Sequence, residues 1–206
     1  MTETNIQYPN IIDNFITNSE CKTLLDLAEN NEDLFQAQTS SIPRWNKRNI
    51  YMHMILKNHK SESELLLQIA NKIQHKIREI ENTNDIWLEL PMYSRWLPGD
   101  HLNPPHADNI EQDGKTPNSS PWRSHGIVLY LNNTFDGGEI FYKHHNLKFK
   151  PKPKTCGIHR AGIEDTHGVF EVQNGIRHTI ITFACRDEAH VQKSKPTFLD
   201  GYLDKI

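Results

Sequence analysis

The hydrophobic pattern of this chain changes period once, near Ile86, and that change limits the folds open to it. Before it, apolar residues recur at helical spacing. Thr17-Asn18-Ser19-Glu20 reads as a capping box, with Thr17 as N-cap and Glu20 reaching back to it. The helix it opens sets Cys21, Leu24, Leu25, Leu27 and Ala28 on one face. Ser61-Glu62-Ser63-Glu64 reads as a second capping box. Leu66, Ile69, Ala70, Ile73, Ile77 and Ile80 follow it every three or four residues, so a long amphipathic helix is expected to pack one apolar stripe against a sheet. Between the helices, residues 48–56 read as a strand. From Ile86 onward the pattern is strand-like: residues 86–97, 124–131, 139–142, 147–150, 168–172 and 179–184 are short runs between Gly, Pro and Asn clusters. Several short strands at such spacing indicate a sandwich or barrel. The expected fold is α+β, mainly β: a double-stranded β-helix, or jelly roll, buttressed on one face by N-terminal helices. At 206 residues the chain is long enough for one domain with a full core.

Within the strand-rich part, His106-Ala107-Asp108 is followed about sixty residues later by His167 and then by Arg177. A His-x-Asp pair on a short loop plus a distant second His is the ligand set of the 2-His-1-carboxylate facial triad, which binds Fe(II) on one face and leaves the other open. His167 is expected to end one strand, Gly175 to turn the chain, and Arg177 to enter the next. That path aims a guanidinium at the metal from the adjacent strand, and its planar fork is suited to a carboxylate. Thr179 lies two residues on and shares the face of Arg177. With 12 His in the chain, a His-x-Asp tripeptide alone is a weak signal. His53, His59, His75, His101, His144, His145 and His190 read as surface or satisfied core residues, and His159-Arg160 as a solvated loop, with a substrate-facing position the alternative. Lys148, Lys150, Lys152 and Lys154, spaced by Pro151 and Pro153, read as a charged edge that blocks aggregation. The polar loop 109–122 directly follows the metal loop and is a candidate lid.

Taken together, the run from Leu97-Pro98-Gly99 to Asn109, the run from Val128 to Phe141 with Gly137-Gly138-Glu139, and the run from His167 to Phe183 resemble the Fe(II)/2-oxoglutarate dioxygenases of the prolyl 4-hydroxylase type. Asp13-Asn14-Phe15-Ile16 with the helix around Cys21 adds to the likeness, which spans roughly residues 10–188. The resemblance implies that His106, Asp108 and His167 hold Fe(II) and that, with Arg177, they are the catalytic set. It implies 2-oxoglutarate as cosubstrate, chelating the iron through its 1-carboxylate and keto oxygen, with its 5-carboxylate on Arg177 and Thr179. O₂ is the oxidant and ascorbate a reductant. Succinate and CO₂ are the coproducts of hydroxylating a substrate C–H bond. The carboxylate of Asp108, where halogenating relatives have Gly or Ala, argues for hydroxylation. Many relatives carry Tyr where this chain has Trp96, so the cosubstrate contact made there passes to Tyr93 or Tyr130. Tyr130 itself reads equally as a hydrogen-bond donor to 2-oxoglutarate or as core. The first substrate is a prolyl residue in a peptide or protein; the alternatives are a free amino acid or other small metabolite, and, in another class, a non-catalytic metal-binding jelly-roll sensor or structural module.

Composition narrows the partners. Net charge is −3 and no basic, aromatic groove is legible, so nucleic acid is not expected. No apolar run approaches the ~18 residues of a membrane span. The three Cys are widely spaced and form no C-x-x-C pair, which points to reduced thiols and a cytoplasmic setting. Met1–Asn5 carries neither a basic nor an apolar segment, so no signal peptide is expected.

Overall fold

The structure, a computed structural model, describes residues 7–40 and 43–194. The chain starts with a short strand, β1 (Asn10–Ile12), and α1 (Asn18–Glu29) then begins at the expected capping box. The Thr17 hydroxyl accepts from the Glu20 N–H at 3.2 Å, and the Glu20 carboxylate accepts from the Thr17 N–H at 2.6 Å. Next come α2 (Glu32–Ala37), β2 (Asn49–Tyr51) and α3 (Met52–Ile55). The strand expected over 48–56 is therefore only three residues long. Met52 and Ile55 are buried one helical turn apart instead, an ambiguity inherent in short apolar runs.

The long helix, α4 (Lys60–Glu81), is present, but Ser61 does not cap it. The N-cap position is His59, which makes no side-chain cap bond, and the Ser61 hydroxyl turns to Glu62. The earlier start is held by Ser63, which is buried: its N–H donates to the His59 carbonyl at 3.0 Å and its hydroxyl to the Lys60 carbonyl at 2.8 Å, and Leu66, Ala70, Ile73 and Ile77 continue its face. Asn82 stops the helix in the left-handed conformation (φ 49°), its N–H returning to the Arg78 and Glu79 carbonyls.

The strands follow: β3 (Trp87–Leu88), β4 (Met92–Trp96), β5 (Leu102–His106), β6 (Arg123–Tyr130), β7 (Phe135–Gly137), β8 (Ile140–Tyr142), β9 (Leu147–Phe149), β10 (Cys156–Arg160), β11 (His167–Val169), β12 (Val172–Gly175) and β13 (Arg177–Cys185), closed by α5 (Glu188–Ser194). Among the described residues they form three antiparallel sheets. The largest has the order β1-β10-β6-β13-β4-β2, with β3 also paired to β13; the second is β5-β11-β8-β9; β12 and β7 form a two-stranded ribbon. Alternation along the strands divides the large sheet into two faces. Tyr93, Leu129, Ile158 and Ile180 pack with Leu24, Ile73 and Ile77 of the helices in one apolar core. The alternate residues Ser94, Trp96, Gly126, His159 and Arg177 face a cavity shared with the four-stranded sheet. This is the jelly roll with helical buttress expected from the periodicity. As expected of a charged edge, β9 with Lys148 is the outer strand of its sheet. No helix among the described residues is long and apolar enough to cross a membrane.

Candidate active site

The cavity has a volume of about 370 Å³. One wall carries a cluster of possible metal ligands. His106 ends β5 and His167 begins β11, and the two are direct cross-strand partners, with ring centroids 4.7 Å apart. Asp108 follows two residues after His106, its backbone N–H donating to the Ala161 carbonyl at 2.8 Å. One ligand atom from each of His106, Asp108 and His167 lies within 4.8 Å of the others. His167 thus begins its strand rather than ending one, because β11 pairs with β5 at that residue and the chain turns only after Val169.

Hydrogen bonds prepare these side chains for a cation. The Nδ1–H of His167 donates to the Asp165 carbonyl at 3.0 Å, so the tautomer leaves the Nε2 lone pair free. Burial, aided by the neighbouring His159, pushes the His167 pKa down to about 3, so the ring is a neutral donor. For Asp108 burial works against ionisation, but hydrogen bonds from His106 and His159 prevail and hold the carboxyl well below the usual range. Two imidazoles and one ionised carboxylate on one side of a cavity suit Fe(II).

Arg177 stands on the opposite wall. It is 2% exposed, and no carboxylate lies within ion-pair distance of it among the described residues. Burial pulls its pKa down from the ordinary arginine value. Its guanidinium carbon is 5.1 Å from the Trp96 ring centroid and 5.2 Å from that of Tyr130. Arg177 Nε, Trp96 Nε1 and the Tyr130 hydroxyl are all buried without a hydrogen-bond partner. Buried donors without acceptors are costly, and Arg177 and Trp96 line the cavity, where an anion would relieve that cost. Arg177 reaches the cavity from the large sheet and not from a strand beside β11, because β13 pairs with β3, β4 and β6.

Two expected cosubstrate contacts are placed elsewhere. Tyr93 points to the helix side, where it is fully buried and its hydroxyl meets His178 Nδ1 at 3.0 Å. The reason is parity: Tyr93 and Trp96 are three positions apart on β4, so only one of them can face the cavity. Thr179 shares the face of Arg177, but its hydroxyl donates to the Ser94 carbonyl at 3.3 Å, which uses its single hydrogen. Tyr130 remains beside Arg177, and burial pushes its pKa to about 12, so it stays a protonated donor.

The role of His159 beside Asp108 left no trace in the sequence. His159 is no solvated loop residue: it lies in β10, is 1% exposed, and holds Asp108. Sequence reasoning missed Gly126, where an added Cβ would lie 2.2 Å from Asp108 Oδ2 and 2.3 Å from His159 Nε2. The loop 109–122 is an ordered flap. Ile110 bridges Pro117, Asp113 accepts from the Lys115 and Thr116 N–H groups at 2.8 Å, and Asn118, Ser119 and Ser120 line the cavity. At its base Arg123 pairs with Glu89 at 2.8 Å.

The architecture has close counterparts among solved structures. It matches the viral collagen prolyl hydroxylase of Paramecium Bursaria Chlorella virus-1, solved as a 2OG complex, with a TM-score of 0.61 and 20% identity over 88% of this chain and 97% of that one. The shared architecture is a double-stranded β-helix. The same fold occurs in a prolyl hydroxylase from Trichoplax adhaerens in complex with a hypoxia inducible factor oxygen degradation domain peptide fragment, with a TM-score of 0.60 and 17% identity over 91% of this chain and 87% of that one. In sequence the chain is 24% identical over 217 residues to prolyl 3-hydroxylase 1 of Rattus norvegicus, covering 90% of this chain and 30% of the relative. The chain therefore spans under a third of the length of that curated relative. No family model matches the chain.

Proposed function

We propose that the chain is an Fe(II)- and 2-oxoglutarate-dependent hydroxylase acting on a prolyl residue of a peptide or protein. The observation that carries this reading is the opposition, across one cavity, of the His106–Asp108–His167 cluster and an unpaired, buried Arg177. A metal cluster alone would serve a structural module, but a buried guanidinium facing it needs an anion. Proteins similar in fold and in sequence are prolyl hydroxylases, and one of them is complexed with a peptide, which supports the substrate class.

In this reading His106, Asp108 and His167 would hold the iron. With 2-oxoglutarate and O₂ it would supply the oxidising power for C–H hydroxylation, with succinate and CO₂ as coproducts. The remaining chemistry belongs to the chain. Arg177 takes a carboxylate bidentately, and Trp96 and Tyr130 donate beside it. Asp165 fixes the His167 tautomer. The flap residues Asn118–Ser120 border the open side, where they can exclude water once substrate is seated. The setting is a reducing cytoplasm, a reading supported by three cysteines that are free and buried.

The test is succinate release from 2-oxoglutarate with Fe(II) and ascorbate, in the presence of proline-containing peptides or of free amino acids. Peptide-dependent succinate together with a product 16 Da heavier is the expected result, and fragmentation of that product locates the hydroxyl on the ring. Turnover with free amino acids alone would move the substrate to that class. No succinate under any condition would favour a metal-binding module without catalysis.

A further inference from the structure

The geometry points to His159 as the positioning residue that holds Asp108 as a one-oxygen metal ligand, an inference that rests on the ligand set assigned above. His159 Nε2 is 3.0 Å from Asp108 Oδ2 and Nδ1 is 3.2 Å from the Tyr142 hydroxyl. An ionised carboxylate can only accept, so Nε2 carries the hydrogen and donates it. Tyr142, itself fully buried, occupies Nδ1 and fixes the ring from its far side. Both ring nitrogens are thereby committed, so His159 is not a fourth ligand.

The two oxygens of Asp108 are consequently unequal. Oδ2 is tied to His159, whereas Oδ1 lies on the ligand side, 3.3 Å from His106 Nε2. A carboxylate free to rotate could chelate a cation through both oxygens and fill a position that the facial arrangement must leave open. The hydrogen bond that His159 Nε2–H donates to Oδ2 of the ionised carboxylate is of the stronger, charge-assisted kind and opposes that rotation. The fold makes room for the contact at Gly126 of β6, which lies beside His159 of β10 in direct register. Any side chain there would collide with both partners, with Cβ 2.2 Å from Asp108 Oδ2 and 2.3 Å from His159 Nε2. Three strands and the metal loop thus converge on one hydrogen bond.

The test uses the metal-free full chain titrated with Co(II), reading the dissociation constant and the visible absorption of the bound ion, with thermal unfolding of the metal-free protein alongside. His159→Phe keeps a ring and removes the donor; His159→Gln places an N–H where Nε2 stands; His159→Asn places its amide at the Nδ1 position. We expect His159→Phe and His159→Asn to weaken Co(II) binding about ten- to a hundredfold and to alter the absorption band, and His159→Gln to restore most of the loss. Wild-type affinity in His159→Phe overturns the inference. Equal affinities in the Gln and Asn variants, two polar substitutions of similar demand on folding, overturn it as well. A wild-type chain that takes up no Co(II), or an Asp108→Ala chain that binds it unchanged, overturns the ligand set and this inference with it.

Discussion

The two faces of the seven-stranded sheet are made by the same strands and obey opposite rules. On the helix side the residues are apolar, and the polar groups there find partners: the Tyr93 hydroxyl meets His178, and His125 meets Tyr8 and Ser124. On the cavity side, polar atoms are buried without partners. Among the described residues these are Ser94 Oγ, Trp96 Nε1, His106 Nδ1, Tyr130 Oη and Arg177 Nε. Four of the five residues line the cavity, and Tyr130 abuts Arg177. Native proteins rarely leave such groups unsatisfied. Four of them lie on the cavity face of this sheet and His106 on the four-stranded sheet opposite, so unsatisfied polar atoms gather round the cavity while the helix face is satisfied; in the proposed reading, stability falls to one face and ligand binding to the other.

The sharpest way to break that comparison is to remove one residue from each face. Ala at His106, Asp108 or His167 should lower turnover at least about a thousandfold, the scale of losing a metal-held reaction centre. The metal-free chain should melt close to wild type. Ile180→Ala, on the helix face of the same sheet, should cost about 2–5 kcal/mol of stability, with Co(II) affinity per folded molecule unchanged. Calorimetry and metal titration on the same samples decide it, and metal-site variants that unfold like Ile180→Ala would merge the two tasks.

Glycines offer the next comparison. Gly126→Ala puts a methyl against Asp108 and His159, and a displacement of about 1 Å at a reacting centre can cost on the order of a hundredfold. Gly157→Ala, one strand away on β10, meets nothing closer than 3.6 Å and should be nearly neutral. Steady-state turnover of the two variants is the measurement; equal activities would show that the site relaxes around Gly126.

Arg177→Lys keeps the charge and loses the fork, so the KM for 2-oxoglutarate should rise about tenfold, ~1.4 kcal/mol of binding. Arg177→Met should raise the melting midpoint of the metal-free chain, because it removes a buried charge that lacks a partner. An unchanged KM in Arg177→Lys would place the carboxylate elsewhere in the cavity.

How much of this was legible follows from what leaves a local trace. The helical front and the strand-rich back were legible because periodicity reports which face is buried. The strand β5 was not, since Pro104 and Pro105 lack ladder donors; it persists at an edge of its sheet, where such losses are tolerated. The ligands His106, Asp108 and His167 carry a spacing that ligation itself requires. His159 carries none: it meets Asp108 across 51 positions, and only the pairing of β10 with β6 brings it there. Tyr93, expected as an alternative to Tyr130 for the contact at Trp96, lies on the helix face, as the alternation of β4 requires once Trp96 faces the cavity.

Acid should test both faces, because the ligand His167, held down to a pKa of about 3, resists protonation in the fold as His125 and His178 on the helix face do. Burial is the main cause that pushes both His125 and His178 down to a pKa of about 4. The unfolded chain takes up these protons near pH 6.5, the ordinary histidine value of about 6.5. Between pH 6.5 and about 4 the unfolded state therefore binds more protons, and stability falls as pH drops through that window. The loss should be on the order of a few kcal/mol for the pair, measured by denaturant unfolding at pH 7 and pH 4.5. His178→Gln should flatten the slope. A slope unchanged in that variant would assign the acid sensitivity to other groups.

The smallest effect belongs to the flap, which joins the two tasks. Its base is fixed by the Arg123–Glu89 pair and by Trp122 Nε1 donating to Glu89 at 3.0 Å, so shortening its tip should leave the sheet intact. Its tip is a self-contained turn on Asp113, and its far arm, Asn118–Ser120, borders the cavity. Replacing residues 111–116 with two glycines removes the tip and slackens that arm. Water would then reach the site before substrate is committed. The expected outcome is a severalfold drop in hydroxylated product per succinate formed, with succinate release itself little changed. Product and succinate are counted in one assay, so the ratio does not depend on how much enzyme is active. A ratio equal to wild type would make the flap a tolerated surface insertion, and exclusion of water would then fall to the bound peptide itself.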